Sequence, residues 1–282
     1  SDYPAIARFA NEFFRTASGT DGFVFHDRES VEPVPADRAG EAQRRVERLR
    51  ADGCPVTFEN RVDAGIRYPF LDLTDYVGLV RYREAGFLDP AQLADLLATR
   101  ARERGAALET GTTVERLLVR DGRAIGVATT DGERRADAVV VAAGWRSPSL
   151  LAGHVDLPVK PYRTQAVVVQ VPALADHAGD VPMAWIPEER VYFRPMGGGR
   201  LLVGGWAEPV QDPAAVSRDA DPAFRRHVAE IVPRLFADAA GATFVDGWAG
   251  VDLATPDTRP IIDSPPGGPD GLLVATGFHG RG

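Results

Sequence analysis

The sequence predicts an α/β fold in which parts of an open α/β domain flank a mixed or antiparallel sheet. Three observations carry that expectation. Ala138-Val139-Val140-Val141-Ala142-Ala143 is continuously apolar and ends at Gly144, the pattern of a strand covered on both faces in a central parallel sheet. A second apolar run, Leu272 to Ala275, also passes into a glycine, Gly277. Between them lie several short β-prone runs broken by Pro and Gly, as expected of an antiparallel sheet.

The elements follow in order. Ile6, Phe9, Ala10, Phe13 and Phe14 have helical spacing and predict an amphipathic helix over Tyr3 to Ala17. A second helix is expected from Asp37 to Ala51, stopped at Asp52-Gly53. From Cys54 to Ala85 the pattern reads as loop with short strands. Asp89-Pro90 is a helix start, because Asp caps free amides and Pro suits the first helical position. Leu93, Leu96, Leu97 and Ala101 are expected to line its buried face, and Gly105 to end it. Strands follow at Val114 to Val119, Ala124 to Thr129 and Ala138 to Ala142, with turns at Asp121-Gly122 and Asp131-Gly132. The middle sheet is read from Ala166 to Val171, Met183 to Ile186, Val191 to Arg194 and Leu201 to Gly205. A helix over Pro222 to Ala239, a strand at Thr243 to Trp248 and the strand at Leu272 to Ala275 complete the chain.

The 282 residues are 44% hydrophobic and 26% charged, the mix of a globular protein, with a net charge of −8. An acidic balance argues against a nucleic-acid partner, since neutralising phosphates needs surplus Lys and Arg. No apolar run approaches the length of a membrane span. The single cysteine, Cys54, allows no internal disulfide, which suits a reducing cytoplasm.

Four segments in order carry a resemblance. They are Gly86-Phe87-Leu88-Asp89-Pro90 with Gly111 to Val114; Ala136 to Trp145; Val191-Tyr192-Phe193-Arg194-Pro195 with Leu201 to Gly205; and Thr255-Pro256-Asp257, Arg259 to Ile262 and Gly271 to Phe278. Together they resemble the family of D-amino-acid oxidases, glycine oxidases and sarcosine oxidases. The resemblance implies a Rossmann-type FAD-binding domain, with a mixed or antiparallel substrate domain inserted in it. The expected ranges are 75–157 and 246–282 for the FAD-binding part, 158–245 for the substrate domain, and 1–74 shared between them.

The resemblance also implies a site. The Val114 backbone would hold the adenine, and Ala142, Ala143, Gly144 and Trp145 would border the dinucleotide. Gly277, Phe278, His279, Gly280, Arg281 and Gly282 would wrap the flavin ring. The family often has a small hydroxyl residue and a histidine where this chain has His279 and Arg281. Tyr192 and Arg194, two apart on an expected strand, share a face. A phenol and a forked guanidinium suit a substrate carboxylate, although a surface pair with Arg194 in a structural salt bridge is the alternative. Asp252 stands where several relatives carry a carboxylate-binding Arg or Tyr. An aspartate there would repel a carboxylate, so either the amine differs or Arg194 or Arg259 supplies the clamp.

Other residues read as structural. His26, His154, His177 and His227 have no metal-ligand spacing. Trp185 and Trp206 are expected in the core, with pocket lining as the alternative. A Rossmann FAD site also needs a strand, a Gly-x-Gly-x-x-Gly turn and a helix, and that motif is absent from this sequence. The expectation is therefore a chain cut at both ends, lacking the first βαβ unit and binding FAD poorly or not at all by itself, with a subunit whose missing unit comes from another chain as the alternative. The parent protein is expected to oxidise a small-molecule amine or amino acid, with oxygen, a quinone or a partner protein as electron acceptor. A non-catalytic binding or assembly module descended from such a flavoprotein is the competing reading.

Overall fold

The computed structural model describes residues 3–177 and 179–279. Its elements are α1 (Tyr3–Ala17), β1 (Phe25–Val34), α2 (Ala39–Ala51), β2 (Val56–Asn60), α3 (Arg61–Arg67), β3 (Gly78–Leu88), α4 (Pro90–Glu103), β4 (Val114–Arg120), β5 (Arg123–Thr129), β6 (Gly132–Arg135) and β7 (Val139–Val141). There follow α5 (Ser147–Leu150), β8 (Lys160–Gln170), β9 (Met183–Ile186), β10 (Val191–Gly197), β11 (Arg200–Pro209), α6 (Pro222–Leu235), β12 (Thr243–Ala254), β13 (Ile261–Asp263) and β14 (Leu272–Thr276). They form two compact units.

The first unit holds residues 1–107, 166–206 and 220–248. An eight-stranded sheet runs β12-β8-β11-β10-β9-β1-β3-β2. It is mixed: β1 pairs parallel with β9, while β9–β10, β10–β11, β1–β3 and β2–β3 are antiparallel. The division between units falls within β8, β11 and β12. Helix α6 begins where Asp221 caps the amide of Ala223 and Pro222 takes the first helical position. It buries Phe224, Val228, Ile231, Val232 and Leu235 against the inner sheet residues Val167, Val169, Val191, Phe193 and Val203.

Helix α4 starts at the expected place, with the Asp89 carboxylate accepting from the Ala91 amide. Its buried face is narrower than expected: Leu96 is fully buried, but Leu97 is 48% exposed. The stretch from Cys54 to Ala85 holds the expected short strand but more regular structure than expected. It contains β2, α3 and most of β3, and the ten-residue β1 precedes it. All of residues 1–107, including the part from Asp75 onward, lies in the first unit.

The second unit holds 108–165, 207–219 and 249–282. One sheet is the meander β4-β5-β6. Asp121 and Gly122 both have positive φ (51° and 75°) and form the two-residue turn expected from their sequence. Between β5 and β6 the turn residues are Thr130-Asp131, with Gly132 already paired to Thr129. The other sheet is β13-β14-β7, with β7 parallel to β14. Leu117, Val139, Val141, Leu151, Leu157, Leu272 and Val274 form this unit's core.

Coverage of β7 on both faces is not what the structure shows. Val139 and Val141 are buried, but Val140 is 62% exposed and its partner Leu273 is 41% exposed. The strand stands at the edge of a three-stranded sheet, and only one of its faces meets the unit's core.

Candidate functional site

Strand β10 alternates cleanly. Val191, Phe193 and Pro195 point into the first unit's core, and Tyr192, Arg194 and Met196 point the other way. Tyr192 lies opposite Trp185 on β9 and Gly204 on β11. A methyl group at Gly204 would fall 2.4 Å from the phenol ring, so the missing side chain lets the ring lie across the neighbouring strand. Trp185 is 43% exposed beside it, which corrects the core placement, whereas Trp206 packs on Phe224 and His227 at the core margin.

The Arg194 guanidinium sits 4.7 Å from the centre of the Phe87 ring, and Phe87 stacks on His26 at 4.7 Å. These contacts hold the cation without neutralising it. Among the described residues neither the Tyr192 hydroxyl nor the Arg194 guanidinium makes a hydrogen bond or an ion pair. The structural salt bridge considered for Arg194 is thus absent among them. Burial pushes the Tyr192 phenol above its ordinary value, with Arg194 pulling the other way. Burial also lowers the Arg194 guanidinium, opposed by Tyr192 and Asp89. At neutral pH the pair is a hydroxyl donor beside a five-donor cation.

In the second unit the parallel pairing of β7 with β14 sets Val141 beside Val274. The carboxyl ends of the two strands are therefore adjacent, with Ala142, Ala143, Gly144 and Trp145 after one and Gly277, Phe278 and His279 after the other. Such ends are where open α/β sheets bind ligands. Gly277 has φ 70°, and a side chain there would meet the Thr255 methyl at 2.7 Å. Among the described residues the Ser147 and Thr276 hydroxyls, at the start of α5 and the end of β14, are buried without hydrogen-bond partners, as is His279 Nδ1. Val114 opens β4, in the sheet that contains neither β7 nor β14. Gly280, Arg281 and Gly282 lie outside the described residues.

Tyr162, which the sequence did not point to, joins Asp252 and His279 in one cluster. The Tyr162 hydroxyl donates to Asp252 Oδ2 at 2.8 Å, and the His279 ring meets Tyr162 edge-on at 5.3 Å. Burial and then the Asp252 carboxylate raise the Tyr162 phenol strongly. Nothing local in Lys160-Pro161-Tyr162 marks this tyrosine, because its partner is ninety positions away. The exposed Arg259 is tied into the turn after β12 by its backbone, which donates to Asp257 and accepts from Thr255.

Among the described residues no group of three or more His, Cys, Asp or Glu is placed to hold a metal ion. Among them, too, no helix is long and apolar enough to cross a membrane.

Residues 3–282 match the family described as "FAD dependent oxidoreductase". The chain belongs to that family. Among curated relatives, the D-amino acid dehydrogenase of Cereibacter sphaeroides strain ATCC 17023 is 32% identical over 98% of this chain and 62% of its own length. The glycine oxidase of Pseudomonas aeruginosa is 32% identical over 58% of this chain and 43% of its own length. The chain thus spans about three-fifths of the first of these relatives. Among solved structures, L-proline dehydrogenase from P. horikoshii superposes with a TM-score of 0.87 at 22% identity, covering 98% of this chain and 74% of that one. Glycine oxidase from Geobacillus kaustophilus gives 0.79 at 25% identity, covering 97% and 71%. The α/β architecture with its large mixed sheet is the fold of these FAD-dependent oxidoreductases, and FAD is the family's cofactor.

Proposed function

We propose that the protein to which this chain belongs oxidises an amine or amino acid, with the first unit binding substrate and the second lining FAD. The observation that carries this reading is the Tyr192–Arg194 pair, two strong donors on an open sheet face with no internal hydrogen-bonding partner among the described residues. A half-buried guanidinium with no carboxylate bonded to it is costly as pure structure. As a clamp for a carboxylate, the fork and the phenol have a use.

The strand ends of the second unit fit the cofactor. Small residues at Ala142, Ala143 and Gly144 let a flat or phosphorylated ligand approach the backbone. The unpartnered Ser147 and Thr276 hydroxyls are donors with no internal acceptor. In this reading Ala142 to Trp145 border the dinucleotide, Gly277, Phe278 and His279 border the ring, and Val114 lies by the adenine. When bound, FAD supplies the two-electron acceptor for the carbon–hydrogen bond next to nitrogen. Arg194 and Tyr192 fix the carboxylate and so orient that carbon. Phe87 keeps the guanidinium in place, and Trp185 supplies an apolar wall.

Asp252 is engaged by Tyr162 and by the Leu253 amide. The carboxylate clamp is therefore assigned to Arg194 and not to that position. The pyrophosphate-binding glycine turn is not in this sequence, and the chain by itself is expected to bind FAD weakly. The cytoplasmic placement rests on Cys54 being the only cysteine.

Anaerobic mixing of the complete flavin-loaded protein with a panel of D- and L-amino acids and secondary amines tests the reading. Loss of the flavin's visible absorbance with at least one amine is expected, and persistence with all of them overturns it. Oxygen consumption with the active amine then separates an oxidase from a dehydrogenase that uses a quinone or partner protein.

A further inference from the structure

Strand β9 is short, and a cleft opens where it stops. It pairs with β1 at Ser30 and Val31 and with β10 only as far as Phe193. Beyond those residues β1 and β10 face each other with no strand of the described residues between them, and a cavity of about 360 Å³ lies there, bordered on a third side by the start of α4. Arg28 stands on the β1 side and Arg194 on the β10 side. The bulge in β1 between Arg28 and Ser30 changes the local direction of the strand beside Arg28, a device often found next to sites. Arg28 donates from Nη1 to the Asp27 carbonyl, and its Nε is buried with no hydrogen-bond partner among the described residues.

The other polar groups of the cleft favour an anion. The Gln92 carbonyl oxygen accepts from the Val24 amide at 3.2 Å, which leaves the Gln92 NH₂ as a pair of donors. Among the described residues Asp89 is the only carboxylate lining the cleft, and one of its oxygens is taken by the Ala91 amide. Two guanidiniums on one cleft repel each other until anionic groups lie between them, and each fork suits one carboxylate.

We propose that this cleft is a second carboxylate subsite, read by Arg28 and Gln92, and that the preferred substrates are amines carrying two carboxylates, such as acidic amino acids. The inference rests on the assignment of Arg194 and Tyr192 to the substrate's first carboxylate, and it makes Arg28 a specificity-determining residue.

Calorimetric titration of the chain at low ionic strength with glutarate and with butyrate tests the subsite without any flavin. Glutarate is expected to bind about tenfold more tightly than butyrate. In Arg28→Gln, checked for folding by circular dichroism, that ratio is expected to fall close to one. Equal binding of the two acids to the unaltered chain, or a ratio that Arg28→Gln leaves in place, overturns the proposal. Flavin reduction in the complete protein keeps the two readings apart. Efficient reduction by monocarboxylate amines with no preference for dicarboxylates sinks the subsite and leaves amine oxidation standing. A glutarate preference without reduction by any amine does the reverse.

Discussion

Tyr192 and Arg194 owe their geometry to neighbours on other strands. The phenol ring depends on the bare backbone of Gly204, and the guanidinium on the ring of Phe87. In Gly204→Ala the new methyl displaces the Tyr192 ring. Because that ring is 42% exposed it has room to move, so the stability change is expected to stay within about 1 kcal/mol. The KM of the complete enzyme for its amino acid is expected to rise severalfold with kcat less affected, a split that steady-state kinetics would show. Arg194→Lys keeps the charge but loses the fork. Its KM is expected to rise about tenfold, and an unchanged KM would remove Arg194 from the clamp. Tyr192 and Arg194 were legible in the sequence because period-two spacing is a local signal. Gly204, Phe87 and Arg28 were not, since their roles follow from which strands lie side by side, and for Trp185 the sequence offered pocket lining only as the alternative to the core.

Among the elements, those with strong local signals were readable. Helix α1 and strand β9 fall within the expected limits, and α4 and α6 begin at their Asp-Pro caps. The missed elements lack such patterns. Helix α3 buries only Ala64 and leaves Val62 and Ile66 on the outside, so its apolar residues mark no inward face. Strand β1 is rich in charged residues: Glu29 pairs across the sheet with Arg81 on β3, which also meets Glu59 on β2, and Glu32 pairs with Arg45 on α2. The error in α4 concerned one position: Leu96 and Leu97 look alike in sequence, but the helix turns only Leu96 fully inward. Leu96→Ala is expected to cost about 2 to 5 kcal/mol, through lost transfer energy and the cavity left behind. Leu97→Ala is expected to cost less than about 1 kcal/mol. Urea unfolding of the two variants measures the difference, and equal losses would show that α4 is rotated from the orientation described.

For the molecule as a whole, each unit contains a buried tyrosine bonded to a carboxylate. Tyr68 in the first unit is 3% exposed and donates to Glu29 at 2.6 Å, and Tyr162 in the second is 9% exposed and donates to Asp252 at 2.8 Å. Burial first, and then the neighbouring carboxylate, raises both phenols well above their ordinary value. In the unfolded chain each loses its proton near pH 10. In the folded chain ionisation would set a phenolate against a carboxylate away from water. The stabilisation these groups provide is therefore complete below about pH 10 and is lost as the pH climbs towards the raised folded values. Two such tyrosines give a slope of about 2.7 kcal/mol per pH unit, once the unfolded phenols are ionised and the folded ones are not. Urea midpoints measured from pH 8 to 11.5 should stay level at first and then fall steeply. Tyr68→Phe and Tyr162→Phe together should flatten most of that limb while lowering stability at pH 8 through the lost hydrogen bonds. A weaker slope should remain, because burial also raises Tyr76, Tyr82 and Tyr192. If the double variant keeps the full alkaline slope, the charge of the whole chain governs the loss and these two hydrogen bonds do not.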